Sequence, residues 1–176
     1  QLRAGDAIDM VNGIPVATTR MAADVEEALA VAADIGYPVA LKIHSPDIAH
    51  KSDVGGVALD LDTPDILRAA AAAMLKRVRR MRPDALIDGF TVQQMARRPQ
   101  SHELIVGVTT DAAFGPVILV GQGGIAVEVT ADHAIGLPPL NMVLARDMLA
   151  RTRVSRLLAG YRNQPPADID AICYTL

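Results

Sequence analysis

A single lysine, Lys42, interrupts the apolar segment Val39–Ile43. An ammonium group inside such a segment is costly to bury unless it has a partner. The lysine therefore either points to solvent from the polar face of a strand or contacts an anionic group. The spacing alone leaves both alternatives open. Because a polar stretch follows directly, a phosphate group is a candidate for that anion.

The stretch that follows, residues 44–56, is a predicted loop and the densest polar segment of the chain. Gly55 and Gly56 precede the next strand, and adjacent glycines let backbone N–H groups approach phosphate oxygens closely. Lys51 and Ser52 add side-chain donors. The loop lacks the Walker A pattern and does not lead into a helix, so an ordinary glycine-containing surface loop is the alternative.

A histidine in the middle of this loop, His50, has three interpretations. It is a surface residue, a general base, or a nucleophile that accepts a phosphoryl group, because neutral imidazole attacks phosphorus near neutral pH. Its position alone favours the surface residue. The other histidines, His44, His102 and His133, are scattered along the chain, and no set of ligands has the spacing of a zinc site.

A second group of candidate residues ends a later predicted strand. Gln93 and Gln94 lie where backbone amides and carbonyls would meet an adenine edge, with Met95 as its apolar cover. An edge strand with solvated glutamines is equally compatible with the spacing. Glu103 opens the next strand and either bonds ribose hydroxyls, orients Lys42, or is a surface acid.

The scaffold around these residues is predicted from capping signals and apolar periodicity. Asp24, with Glu27 three residues later, forms a capping box that predicts a helix, and Gly36 marks its end. Pro38–Ile43 and Val57–Leu61 are predicted strands on either side of the loop.

A second helix is predicted to begin at Thr63, with Pro64 at its first position. Apolar residues recur on one of its faces at helical spacing: Leu67, Ala71, Met74, Leu75, Val78 and Met81. The basic residues between Lys76 and Arg82 fall largely elsewhere. We interpret them as a solvated face in preference to a site for a CoA phosphate or an acidic partner.

The remainder of the chain predicts a run of strands followed by helices. The predicted strands are Gly89–Met95, Glu103–Val108, Pro116–Val120 and Ile125–Val129, with 121–124 as a tight turn between the last two. Glu128 in the last strand is either solvent-facing or an active-site acid. Helices are predicted at 142–151, at 153–160 and from Pro166 onward.

This order of elements indicates an α+β fold with mixed or antiparallel sheets. The predicted division has three parts: a lead-in at 1–23, a first subdomain with the polar loop at 24–92, and a second subdomain at 93–176.

The composition excludes some classes of function. The 176 residues carry a formal net charge of −3, which argues against nucleic acid as the main partner. The single cysteine, Cys173, rules out an internal disulfide and suits a reducing, cytoplasmic location. No apolar run approaches the ~20 residues that a membrane-spanning helix needs.

Four segments together resemble one protein family. Tyr37–Val57 resembles the signature of the ATP-grasp domain in NDP-forming acyl-CoA synthetases, the group that includes ADP-forming acetyl-CoA synthetases. Glu103–Val117, Gly121–Val129 and Leu137–Leu140 resemble three further blocks of that family. The likeness runs from about Gly13 to the end of the chain. It implies an ATP-grasp fold, in which two α+β subdomains hold the nucleotide between them.

The resemblance also implies roles for residues in the loop. Lys42 matches the family's phosphate-binding lysine, and Gly55, Gly56 and Val57 match its flexible loop over the phosphates. His50 matches a histidine that is thought to carry phosphate transiently. Phosphoryl transfer needs cations on the phosphate oxygens, a positioned acceptor and exclusion of water, and these residue types supply such parts.

Further along the chain, the resemblance implies contacts to the rest of the nucleotide. Gln93, Gln94 and Met95 match the hinge that meets adenine, and Glu103 matches the acid that follows it.

The reaction implied by the resemblance interconverts acyl-CoA and acyl phosphate. A histidine of the CoA-ligase part takes the phosphoryl group and delivers it to ADP at the ATP-grasp site. ATP or ADP is therefore the implied ligand, and CoA-binding and CoA-ligase domains of the same or a partner chain are implied partners.

Mg²⁺ is implied as well, with ligands from an Asp-Ile-Asn-Pro strand and a later acid. This chain stops before such a motif, so we expect it to be C-terminally truncated and inactive alone.

One region resembles a particular branch of the family. Leu137–Asn141, Thr152–Leu158 and Gly160–Arg162 are similar to the branch in which the synthetase-like part is fused to a GNAT-type protein lysine acetyltransferase. This implies an alternative function, a non-catalytic regulatory domain that senses ligands. A third interpretation is an ATP-grasp fold retained only as a scaffold.

Overall fold

The computed structural model describes residues 10–11, 14–96, 101–124 and 130–176. The chain divides into two compact units, Gln1–Arg97 and Arg98–Leu176. Gln93, Gln94 and Met95 lie in the first unit, whereas the division predicted from the sequence placed them at the start of the second.

The first unit is built on a four-stranded antiparallel sheet. Its strands are β3 (Thr19–Ala22), β4 (Val39–His44), β5 (Val57–Leu61) and β6 (Gly89–Gln94), in the order β3-β6-β4-β5. Two short strands, β1 (Met10–Val11) and β2 (Ile14–Pro15), pair with each other separately. Strand β3 falls within the predicted lead-in. No period was visible there, because four residues are too few for alternation to stand out.

Two helices pack on one face of this sheet. Helix α1 (Val25–Ile35) contacts β3 and β6, and helix α2 (Pro64–Met81) contacts β4 and β5. Both predicted N-caps are present: the Asp24 carboxylate accepts the Glu27 N–H at 2.8 Å, and the Thr63 hydroxyl accepts the Ile66 N–H at 3.3 Å. These contacts satisfy backbone donors that a helix start otherwise leaves unpaired.

The core of the first unit lies between the sheet and the helices. Strand residues Val39, Leu41, Ile43, Phe90 and Val92 pack there against helix residues Ala28, Ala32, Leu67, Ala71, Met74 and Val78. Met81, which the sequence placed on the same apolar face, is 48% exposed. It lies in the last turn of α2, one turn beyond the final buried residue.

Within its described residues, the second unit contains a three-stranded antiparallel sheet followed by three helices. The strands are β7 (Leu104–Asp111), β8 (Gly115–Gln122) and β9 (His133–Gly136), in that order. The helices are α3 (Met142–Ala150), α4 (Ser155–Leu158) and α5 (Ile169–Thr175). A separate core joins them: Val120, Ala134, Ala145, Met148, Leu149, Val154, Leu158 and Cys173.

Several predicted boundaries in this unit were wrong. Gly121 and Gln122 continue strand β8 instead of forming a turn, and α4 is one turn long instead of spanning 153–160. Strand β9 was not predicted, since it has only four residues. The predicted strand Ile125–Val129 and its Glu128 lie outside the described residues.

Two carboxylates organise loops of the second unit. Asp132 is buried and accepts the backbone N–H groups of Arg153 and Val154, at 2.6 and 2.7 Å. Asp111 accepts the N–H groups of Ala113 and Phe114 in the β7–β8 turn, and these bonds lower the pKa of its carboxyl group. Both arrangements pair backbone donors that the turns leave without a ladder partner.

Among the described residues, we find no helix that is both long enough and apolar enough to cross a membrane.

Candidate functional site

The side chain of Lys42 lies on the face of the first unit's sheet opposite the helices. Side chains alternate between the two faces of a strand, and the neighbours Leu41 and Ile43 are both fully buried in the core beneath the helices. The β4–β6 register places Thr91 directly opposite Lys42, and Gln93 two residues further along. We call this surface, which carries Lys42, His44, Thr91 and Gln93, the Lys42 face.

Lys42 has a neutral partner on this face. Its Nζ donates to Oε1 of Gln93 at 2.6 Å, and both side chains are half-buried. The sequence left open whether the lysine points to solvent or contacts an anion. In the structure it is held by an amide, so its positive charge is not cancelled by this contact.

The loop after β4 is held by two buried side chains and one hydrogen bond. Ile48 and Val54 are buried in the first unit's core, and the carboxylate of Asp47 accepts the N–H of Leu86 at 2.7 Å. Between these anchors the loop turns outward: His50 and Ser52 are exposed, and Lys51 is half-buried. The structure therefore brings the predicted His50, Lys51 and Ser52 together at one turn.

The two glycines of this loop close the turn from within. The Gly55 N–H donates to the Ser52 carbonyl at 3.0 Å, and the Gly56 N–H donates to the Lys51 carbonyl at 2.7 Å. These two amides are therefore engaged inside the loop and would have to change partners to contact a phosphate. The Gly56 carbonyl in turn accepts the Ile43 N–H at 2.7 Å, which joins the loop to β4.

Close packing favours glycine at position 56, and a left-handed backbone conformation favours it at position 55. A Cβ on Gly56 would lie 2.5 Å from Cγ2 of Ile43, and one on Gly55 would lie 2.4 Å from the Arg77 side chain. Gly55 also has φ +63°, which side chains rarely allow. The contact with Arg77 of helix α2 was not foreseen from the sequence, because nothing in the local pattern links the two segments.

The segment predicted to meet adenine continues the sheet beyond β6. The N–H of Gln94 donates to the Thr18 carbonyl at 2.9 Å, and the N–H of Met95 donates to the Pro38 carbonyl at 3.1 Å. Both amides are thus used within the first unit. Any adenine contact from these two residues must come from their carbonyl groups or side chains. Val57 begins β5 and pairs with Lys42.

Glu103 lies in the second unit and is exposed. Its carbonyl accepts the Gly123 N–H at 2.7 Å, and a Cβ on Gly124 would lie 2.7 Å from its Oε2 atom. The glycines at 123 and 124 therefore allow the chain after β8 to approach Glu103.

Comparison with known proteins identifies the family of this chain. The family model for an ATP-grasp domain matches residues 4–176. The chain belongs to the ATP-grasp family. Its α+β architecture with antiparallel sheets is the fold that the sequence predicted.

Several relatives of this ATP-grasp domain are ADP-forming CoA ligases. It is 44% identical over 160 residues to acetate–CoA ligase (ADP-forming) I of Archaeoglobus fulgidus, covering 91% of the chain but 23% of that protein. It is 40% identical over 160 residues to the beta subunit of acetate–CoA ligase (ADP-forming) II of Pyrococcus furiosus, covering 91% of the chain and 67% of the subunit. The domain is thus homologous to the beta subunit of ADP-forming acyl-CoA synthetases.

A solved structure of similar fold supports the same assignment. Dinucleotide-forming acetyl-coenzyme A synthetase 1 of Ca. Korarchaeum cryptofilum, in complex with coenzyme A, Ca-AMPCP and HgCl+, matches with a TM-score of 0.86 and 40% identity. The match covers 93% of this chain and 71% of that chain. The regulatory acetyltransferase alternative receives no support from these comparisons.

The family resemblance also implies a magnesium ion. Within the part of the ATP-grasp domain that the structure describes, no three His, Cys, Asp or Glu side chains cluster closely enough to hold a metal ion.

Proposed function

We propose that this ATP-grasp domain binds ATP or ADP on the Lys42 face, with the Lys42 ammonium group on the phosphates. The observation that supports this most strongly is the position of Lys42. It is a half-buried cation on the sheet face away from the helices, and it is held by a neutral amide. A polyanion at this position gains an attractive charge–charge interaction in a partly desolvated setting, where such an interaction is stronger than in water.

The exposed turn beside β4 would complete the phosphate site. Lys51 and Ser52 offer side-chain donors there, and Gly55, Gly56 and Val57 shape the loop. The N–H groups of Gly55 and Gly56 bond within the loop, which supports a role of these glycines in holding the turn. We therefore assign the phosphate contacts to the side chains of Lys51 and Ser52, and to backbone N–H groups that a rearrangement of the loop on binding would release. We assign Gln94 and Met95 to the adenine end and Glu103 to the ribose.

The test of nucleotide binding compares two lysine variants by calorimetry. Lys42→Ala should weaken ATP binding by at least about tenfold, because a charge-assisted contact to phosphate is lost. Lys76→Ala, on the exposed side of α2, is the matched control and should bind ATP normally. Equal affinities for the Lys42 and Lys76 variants would remove Lys42 from the site.

For catalysis, we propose that His50 exchanges a phosphoryl group with the bound nucleotide. An imidazole nitrogen attacks the γ-phosphorus of ATP, the bond to the bridging oxygen breaks, and ADP leaves with that electron pair. The reverse step regenerates ATP from ADP. Exposure of His50 supports this role, since an exchanging group must be reachable. In one Korarchaeum structure a phosphohistidine segment points towards the nucleotide binding site, and we propose that a similar segment meets this turn.

A labelling experiment tests the histidine. The longer protein that contains this domain is incubated with γ-labelled ATP and examined for acid-labile, base-stable label. Label should be lost in His50→Ala and kept in His133→Ala, an exposed histidine of β9 in the other unit. Label that is unchanged in His50→Ala would reject the role.

The reaction we propose for that longer protein is acyl-CoA and acyl-phosphate interconversion coupled to ADP and ATP. The chain spans about a quarter of the first relative described above, so CoA and acyl groups would be bound by CoA-binding and CoA-ligase domains elsewhere. Mg²⁺ would accompany the nucleotide and take protein ligands from outside the described residues. We also propose a cytoplasmic location, because the free thiol of Cys173 suits a reducing compartment.

The regulatory role in a GNAT-fused acetyltransferase stays a prediction from the sequence. The gene sequence downstream of the codon for residue 176 distinguishes the two functions. A GNAT domain encoded there would contradict the proposal of a synthetase that has no acetyltransferase domain.

A further inference from the structure

The contact between Lys42 and Gln93 joins two strands that cannot easily shift. Strands β4 and β6 are the two inner strands of the four-stranded sheet, so each is paired on both sides. In their register, Gln93 is opposite Ala40, and Lys42 is opposite Thr91. The diagonal neighbour on the same face is within reach of a long side chain. Ala40 is too short to come between them.

The chemistry of the contact fixes its direction. An ammonium group has donors only, so the Gln93 amide must present its oxygen to Lys42 and turn its NH₂ group away. The Nζ–Oε1 distance of 2.6 Å is slightly shorter than the usual range for N–H···O bonds, as expected when the donor is charged. A lysine side chain has many rotamers, and this bond selects the few that keep Nζ on the Lys42 face.

The partner is also uncharged. Among the described residues, the Gln93 oxygen is the side-chain partner of the Lys42 ammonium group, and no carboxylate pairs with it. A glutamate at position 93 would make the same bond but would cancel much of the charge that a phosphate needs. A glutamine orients the lysine and leaves that charge available.

We propose that Gln93 is a positioning residue for the nucleotide phosphates and acts through Lys42. This differs from the adenine contact that the family resemblance implies for Gln93, and it rests on the proposed nucleotide binding at Lys42. Gln93 would govern affinity for the phosphate end of the ligand, although its own side chain bonds the lysine and not the ligand.

A double-mutant cycle separates the two roles. Affinities for ATP and for adenosine, which has no phosphate, are measured by calorimetry for the native protein, Lys42→Ala, Gln93→Ala and the double variant. We expect Gln93→Ala to weaken ATP binding roughly tenfold, as hydrogen bonds to charged groups are among the stronger ones. In the Lys42→Ala background, Gln93→Ala should not weaken ATP binding any further. Adenosine binding should be the same in all four proteins.

Other results would overturn the proposal. If Gln93→Ala weakens ATP and adenosine binding equally, Gln93 contacts the base. If it weakens ATP binding equally with and without Lys42, Gln93 does not act through the lysine. If the native protein binds no ATP, the proposed function itself fails, which is a different result. Gln164→Ala, an exposed glutamine of the second unit, is the control for a lost glutamine side chain.

A charge variant tests the neutrality of the partner. Gln93→Glu keeps an acceptor of nearly the same shape, so the protein should fold normally. It should still lose ATP affinity, with adenosine binding unchanged, because the carboxylate competes with phosphate for the ammonium group. Native-like ATP affinity in Gln93→Glu would contradict the need for a neutral partner.

Discussion

The loop that carries His50, Lys51 and Ser52 should be sensitive to one added methyl group at Gly56. A Cβ there would lie 2.5 Å from Cγ2 of Ile43 and 2.9 Å from the Lys51 carbonyl oxygen. Ile43 is fully buried, so it cannot rotate away without disturbing the core. The carbon–carbon distance is about 1 Å short of normal packing. Gly56→Ala must therefore displace either the core or the loop.

The expected cost follows from this overlap. Overpacking a buried site destabilises proteins by about 1–3 kcal/mol. Displacing the Lys51 carbonyl also weakens the bond that it accepts from Gly56. The reduced freedom of alanine in the unfolded chain offsets about 0.4–1 kcal/mol of this loss. We expect a net loss of roughly 1–2 kcal/mol in the free energy of unfolding.

Urea unfolding followed by circular dichroism measures this loss, and Gly107→Ala is the matched control. A Cβ at Gly107 in β7 meets nothing within 4 Å, and its φ is not positive, so that variant should be as stable as the native protein or slightly more so. Hydrogen exchange should quicken in residues 45–56 of the Gly56 variant only. If the two variants unfold at the same urea concentration, the tight packing of Gly56 on Ile43 is refuted.

Three further predictions concern folding. Asp132→Ala should destabilise the second unit by about 1–3 kcal/mol in urea unfolding, because the Val154 N–H is left buried without its partner; an unchanged midpoint would contradict this. Asp111 has a folded pKa below its ordinary value of 3.8, so it stabilises the fold above about pH 4 and loses this contribution as the pH falls through the folded pKa. Thermal unfolding of Asp111→Asn should therefore depend less steeply on pH below 4, and equal slopes would show the turn bonds to be unimportant. Asp24→Ala should lower the stability of α1 by about 1 kcal/mol, which faster exchange of the Glu27 amide would report.

Local signals in the sequence were enough to place the first unit's main elements. Asp24 and Thr63 are caps whose mechanism involves only the next three residues, and they were predicted correctly. The short, mostly apolar run Pro38–Ile43 predicted β4, with Lys42 as its one charged residue. These features depend on contacts close in sequence, which a single sequence reveals.

Contacts between distant segments could not be predicted in the same way. The Lys42–Gln93 bond joins residues 51 positions apart and depends on the register of β4 with β6. The glycine amides illustrate the same limit. The local pattern could not show that the N–H groups of Gly55 and Gly56 bond within the turn, or that a side chain at position 56 would overlap Ile43. Strand β9 is specified by pairing with β8 and not by its own four residues.

Chemical protection of the Lys42 amine tests most directly whether nucleotide phosphates bind at Lys42. The chain has three lysines, Lys42, Lys51 and Lys76. Their acetylation by acetic anhydride is followed by mass spectrometry with and without saturating ATP, and with adenosine. ATP should protect Lys42 strongly and leave Lys76 unchanged, and adenosine should protect Lys42 much less. If Lys42 reacts equally fast with and without ATP, under conditions in which calorimetry shows the nucleotide to be bound, the phosphates are not at Lys42.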